Sequence, residues 1–303
     1  MSKSKPLQEL NLIDGFLFAV STEDPQNAKF IAKLIIERAT GKRVKDITVV
    51  QEKSLLGLDV YYHGIRMDLY VTEYENDNVI SVYDIEPNRY GVDELPKRSR
   101  FSQALTDAKL LKTGEEYNKM PEYLSIWILT EDPFGKNQML YSVKNHVEGF
   151  PEIVYNDGVQ KLFLYVGGEL GGEKPLKDLL RYFLKSDKEH ALDEGIEQLH
   201  TIVENVKGNR KVGEQYMTLQ DMINYEKAEA RREAREEGLA EGRAEGLAEG
   251  RAEGLAEGLL ENITKTIRVC RNLGASNEQI VDNLVSEFKV SEEKAKTYLI
   301  NCN

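Results

Sequence analysis

Apolar and polar residues alternate along 65–72 and again along 79–86, and the six residues between are polar. This pattern predicts two β-strands joined as a hairpin. On the first strand Ile65, Met67, Leu69 and Val71 share a face, leaving Arg66, Asp68 and Tyr70 on the other. On the second, Val79, Ser81, Tyr83, Ile85 and Pro87 oppose Asp84, Glu86 and Asn88. Residues 47–51 predict an earlier strand, and the near-continuous apolar run 123–129 predicts one buried on both faces. Leu95-Pro96 opens an intervening helix with Pro in its first turn. Phe101, Ala104, Leu105, Ala108 and Leu111 form its expected apolar stripe, and Gly114 its end. Upstream, Asp24-Pro25 caps a helix that turns Ala28, Ile31, Leu34 and Ile35 inward and stops near Gly41. Downstream, 138–143 and 162–166 read as strands, and Leu176, Leu179, Leu180, Phe183 and Leu184 fall at helical spacing, with helices continuing over 190–206. Helix, three strands, helix, strand is an α/β order.

Past Asn209 the character changes. Residues 217–262 predict one long helix whose second half repeats every four residues, with Leu239, Arg243, Leu247, Arg251, Leu255 and Leu259 in one row. A four-residue period overshoots the helical turn, so the row rotates by about 40° per repeat. Gly at every fourth place costs about 1 kcal/mol relative to Ala. Such a helix is either a solvated spacer or one that needs a partner. After it, Ser276 and Gln279 form a capping box and Ser291 a further cap, predicting a small helical unit. Three parts follow: a domain over 1–208, the repeat helix over 209–262 and a helical unit over 263–303.

The chain has 303 residues and a net charge of −12, with 41% hydrophobic and 30% charged residues. That balance opposes nucleic-acid binding only if spread evenly. Residues 226–261 carry eleven acidic against six basic side chains, whereas 89–112 reverse the balance, with Arg89, Lys97, Arg98, Arg100, Lys109 and Lys112 against Asp93, Glu94 and Asp107. Two late cysteines, Cys270 and Cys302, and the lack of a long apolar run predict a reduced, cytoplasmic protein that does not enter membranes. The four histidines are scattered, which argues against zinc.

The candidate chemistry lies on the hairpin. If register sets Asp68 beside Glu86, like charges meet unless a proton or cation intervenes. All-oxygen ligands suit Mg²⁺, which takes only one or two carboxylates and keeps its waters. The competing reading is a pair of solvated surface acids. Lys97, one turn before Phe101 on nearly the same face, is placed to lean toward the sheet, and Arg98 and Arg100 accompany it. Carboxylates followed by cations suit a phosphodiester substrate.

Three runs in order, Arg66-Met67-Asp68-Leu69-Tyr70-Val71, then Tyr83-Asp84-Ile85-Glu86-Pro87-Asn88, then Leu95 to Gln103 (LPKRSRFSQ), resemble the Rpn-type recombination-promoting nuclease/transposase family of the PD-(D/E)XK superfamily. The resemblance implies a restriction-endonuclease-like core, a mixed sheet flanked by helices, ahead of the long helix and the C-terminal unit. It implies a Mg²⁺-dependent DNA endonuclease linked to recombination or mobile elements. Asp68 and Glu86 would be the metal carboxylates, Lys97 would offset negative charge, and Arg98, Arg100 and Gln103 would contact DNA. Asn88 stands where the superfamily has Lys and this family usually Gln; an amide can orient a water but carries no charge. Asn88 and Pro87 keep a rival open, a degenerate nuclease fold that binds DNA or a partner without cutting. Asp14, in a drifted form of the family's N-terminal motif, reads as structural, with a role near the metal as the rival reading. Self-association as a homodimer or higher, through the C-terminal helices, is also implied.

Overall fold

Strand alternation and helix caps set the layout of the computed structural model, which describes residues 5–55, 65–88, 91–111 and 113–302 and the side chains of all of these except Ile65 and Asn88. The chain divides into two units, Met1–Gln220 and Asp221–Asn303.

In the first unit, α1 (Gly15–Ser21) and α2 (Pro25–Thr40) precede β1 (Asp46–Leu55), β2 (Ile65–Glu75) and β3 (Asn78–Asn88). Then come α3 (Leu95–Leu110), β4 (Glu122–Leu129), β5 (Leu140–Val143), β6 (Val159–Tyr165), α4 (Lys174–Leu184) and α5 (Glu194–Gly208). The strands form one mixed sheet in the order β1-β2-β3-β4-β6-β5. β1, β2 and β3 run antiparallel, β3, β4 and β6 run parallel, and β5 is antiparallel to β6. The α/β architecture expected from the sequence is present, a six-stranded mixed sheet flanked by helices.

Local chemistry explains the boundaries. The Asp24 side chain accepts the backbone N–H groups of Gln26 and Asn27, Pro25 occupies the first turn, and Gly41 ends α2 at φ 70°. Asn76 and Asp77, at φ 49° and 63°, make a two-residue hairpin turn, so β2 and β3 extend further than the sequence reading placed them. Asp14 is buried and its Oδ2 accepts the Asn11 N–H at 2.8 Å just before α1, in keeping with its structural reading.

One sheet face carries the main core. Leu69, Val71, Ile85, Ile126, Ile128 and Leu164 point into it and meet Phe18, Ile31, Ile35, Leu179, Phe183 and Leu199 from the helices. Each such side chain contributes roughly 1.5–3 kcal/mol by leaving water. The opposite face is different. α3 crosses from β3 to its parallel neighbour β4 and carries Leu95 into a small cluster with Trp127, Leu129 and Phe163.

The expected apolar stripe of α3 coincides with its buried face only at Leu105. Phe101 is 42% exposed, Ala104 and Ala108 are exposed, and the buried residues are Leu95, Ser99, Ser102, Leu105 and Thr106. The reason lies below the helix, where the sheet presents buried polar groups that hydroxyls can bond and methyl groups cannot.

In the second unit, α6 (Arg210–Asn272), which starts within the first, is followed by α7 (Asn277–Phe288) and α8 (Glu292–Asn301). The long helix neither starts at 217 nor stops at 262. Its last turns supply Ile263 and Ile267 to a core with Ile280, Leu284 and Leu299, so a break there would expose them. Ser276 and Gln279 bond reciprocally as a capping box, and Ser291 caps α8. Along the repeat every residue is exposed except Gly258, which is half-buried, and a Cβ added at any of its glycines from Gly238 to Gly258 would meet nothing within 4 Å. Among the described residues no helix is long and apolar enough to cross a membrane.

The reversed face of α3 makes a test of stability. Ser102→Leu should cost about 1–3 kcal/mol through overpacking and a broken buried hydrogen bond. Phe101→Ala should cost about 1 kcal/mol or less. Denaturant unfolding measures both, and the opposite ranking would return Phe101 to the inner face.

Candidate functional site

β2 and β3 pair with Tyr70 opposite Asp84 and Leu69 opposite Ile85, the last described pair at that end. Directly opposed residues share a face, so Asp68, Tyr70, Asp84 and Glu86 all lie on the side covered by α3. Beyond that pair the ladder gives way to a side chain, and the Asp68 backbone N–H donates to Glu86 Oε1 at 3.1 Å. Pro87, which lacks an N–H, stands just past this end, where proline is tolerated. β4 continues the same face, with Ser125 opposite Asp84 and Trp127 opposite Glu86.

Asp84 is fully buried and Glu86 nearly so. Asp84 Oδ2 accepts from Ser102 Oγ at 2.8 Å and from the Tyr123 hydroxyl at 3.1 Å. Among the described residues, Asp84 Oδ1, Ser125 Oγ and Trp127 Nε1 are buried without a hydrogen-bond partner, a concentration of unmet polar atoms that costs stability. Arg98 Nη2 lies 3.8 Å from Glu86 Oε2, and its guanidinium sits 5.1 Å from the centroid of the Trp127 ring.

Loss of hydration dominates the electrostatics. Burial pushes the Asp84 carboxyl up to about 6 against the hydrogen bonds from Ser102 and Tyr123, with the charge of Asp68 adding to the rise and that of Arg98 opposing it. Burial, followed by the charges of Asp84 and Asp68, pushes Glu86 up to about 9, with Arg98 opposing. Burial also raises Asp68, against the pull of Arg66 and Arg98. Three carboxylates therefore share one field in which full ionisation is disfavoured.

The structure groups some of the expected site residues and leaves others apart. Asp68 and Glu86 come together, and they are not freely solvated surface acids. Asn88 ends β3 opposite Leu129, but its side chain lies outside the described residues. Lys97 and Arg100 are exposed on α3, and no described hydrogen bond or ion pair joins Lys97 to the acids. Lys97 does not lean toward the sheet, because it shares the outer face with Phe101. Gln103 donates to Asp107 Oδ2 at 3.3 Å along its own helix. Arg98, expected to grip substrate only, is drawn in among the carboxylates. Sequence reasoning did not single out Asp84, Ser102, Tyr123 or Trp127. Asp84 shares its parity with Glu86, and Ser99, Ser102 and Thr106 recur at helical spacing, so both signals were present.

Among the described residues no group of three or more His, Cys, Asp or Glu side chains is arranged to hold a metal ion. Mg²⁺ asks less of a protein, since it retains water and binds through one or two carboxylates. The all-oxygen set of Asp68 and Glu86, beside the unpartnered Asp84 Oδ1, fits such an ion. Comparison with protein-family models, with curated proteins and with solved structures finds no match for the chain.

A carboxyl whose folded pKa is raised binds more protons folded than unfolded. Its stabilising contribution is complete below the unfolded value near 4.5 and fades as pH climbs through about 9. Glu86→Gln, which keeps an acceptor for the Asp68 N–H, should therefore unfold at a temperature that gains on the wild type between pH 5 and 9 in chelator-treated buffer. The gain should reach about 1 kcal/mol or more, and a difference that shrinks with pH would contradict the assignment.

Proposed function

We propose that this protein is a Mg²⁺-dependent deoxyribonuclease with a restriction-endonuclease-like core, akin to the Rpn-type recombination-promoting family that its motifs resemble. The observation that carries the reading is the meeting of Asp68 and Glu86 on one sheet face beside Arg98, at the cation-rich start of α3. This lies toward the carboxyl ends of parallel β3 and β4, where open α/β sheets bind ligands. Asp68 and Glu86 hold the ion. When bound, Mg²⁺ polarises a phosphate oxygen and makes a bound water more acidic. Asp84, fixed by Ser102 and Tyr123, keeps the floor under Glu86 rigid. Arg98 and Arg100 bring positive charge to the DNA phosphates without reading sequence, and exposed Lys97 meets the backbone farther out. The acidic balance of the whole chain leaves this local patch as the DNA-facing surface. A role in recombination, and self-association through the C-terminal helices, belong to the same proposal.

Asn88 favours a second reading. An amide in the place of a lysine brings no positive charge, which suits a protein that grips DNA without cutting it.

Supercoiled plasmid separates the two. The proposal expects nicking that requires Mg²⁺ and falls by roughly a hundredfold or more in Asp68→Ala and Glu86→Gln. Binding without nicking supports the second reading. Mg²⁺ should also raise the unfolding temperature of the wild type and leave that of Asp68→Asn unmoved, since only a folded state that binds the ion gains from it.

A further inference from the structure

We infer that Arg98 is the catalytic cation of this centre, a guanidinium held in place by the protein that meets the phosphate group under attack. The inference rests on the phosphodiester-hydrolase reading and adds a role that the reading does not assign.

Three features set Arg98 apart from the other cations of α3. First, it is anchored. Its guanidinium lies 5.1 Å from the centroid of Trp127, a buried ring opposite Glu86 in the β3–β4 ladder, and Trp127 is fixed in turn by Leu95, Leu129 and Phe163. Stacking on an indole restrains the plane of the fork and favours its charge. Second, it is aimed at the acids. Nη2 is 3.8 Å from Glu86 Oε2, and among the described residues no other cation forms an ion pair with Asp68, Asp84 or Glu86. That separation is longer than a hydrogen bond, so the contact ties down charge without committing a donor. Third, the side chain is 50% exposed while that of Glu86 is 8% exposed. One side of the guanidinium thus faces the carboxylates and another faces whatever approaches them.

Lys97 and Arg100, both exposed, have no such anchoring among the described residues. A flexible surface cation adds affinity, but a preorganised one adds stabilisation where charge develops, because its orientation is settled before the reaction. In the step itself a water oxygen forms a bond to phosphorus while the bond from phosphorus to the leaving sugar oxygen breaks, and its electron pair departs with that oxygen. The water releases a proton to solvent and the leaving oxygen takes one up, so one water is consumed. Negative charge grows on the phosphoryl oxygens as this happens. The free N–H donors of Arg98 face that charge, and Arg98 keeps its own proton throughout.

The test uses the full chain and measures single-turnover nicking, DNA half-saturation and Mg²⁺ half-saturation for wild type, Arg98→Gln, Arg98→Lys and Arg100→Gln. Arg98→Gln should lower the maximal rate by roughly a hundredfold or more, change DNA half-saturation by less than about threefold, and leave Mg²⁺ half-saturation equal or lower, since a competing charge has gone. Arg98→Lys should recover part of the rate, and Arg100→Gln should act mainly on DNA half-saturation and its salt dependence. The inference is overturned if Arg98→Gln raises DNA half-saturation at an unchanged maximal rate, which marks a backbone contact. It is overturned as well if rate and Mg²⁺ binding fall together, which marks a prop for Glu86. A wild type that cuts normally beside an equally active Arg98→Gln sinks the inference alone, whereas a wild type that cuts no DNA sinks the hydrolase reading and this role with it.

Discussion

Two carboxyl groups taken out of water on one face of a sheet set the terms for everything packed near them. Asp84 and Glu86 are buried on β3, and a carboxylate there is costly unless it is hydrogen-bonded, paired or protonated. The surroundings answer part of that need. Ser102 and Tyr123 donate to Asp84, the Asp68 backbone donates to Glu86, and Arg98 brings a positive charge across Trp127. The hydroxyl-lined inner face of α3 is a consequence of what lies beneath it. A helix with a uniformly apolar inner face would strand those oxygens.

The sheet can carry this load because its two faces divide the work. On one, aliphatic side chains from β2, β3, β4 and β6 pack against α1, α2, α4 and α5 and supply most of the buried apolar area. On the other, the crossover helix α3 covers acids, hydroxyls and an indole. Unmet polar atoms at Asp84, Ser125 and Trp127 weaken the fold locally, a cost the opposite face can offset. Such local costs recur where groups are held ready for a ligand.

The second unit works by other means. Its helices α7 and α8 close over the end of α6 with a small core and conventional caps. The repeat stretch of α6 has no comparable support: its glycines face open space, and its leucines lie in a row that winds around the helix.

Much of this was legible in residue order alone. Strand alternation at Leu69, Val71 and Ile85, the proline-led starts of α2 and α3 and the Ser276 capping box all follow from local periodicity and cap chemistry, which act within a few residues, whereas the nearness of Asp68 to Glu86 was conditional on the hairpin register. What tertiary structure decided is which face of α3 turns inward and what Arg98 touches. Phe101 and its neighbours looked like an inner stripe because apolar spacing normally marks buried surface. The surface waiting for α3 was itself polar, assembled from β2, β3 and β4, whose residues lie far apart in sequence. Burial of Asp84, and the draw of Arg98 toward Glu86, arise only once those strands lie side by side, since desolvation and charge depend on distance in space and not along the chain.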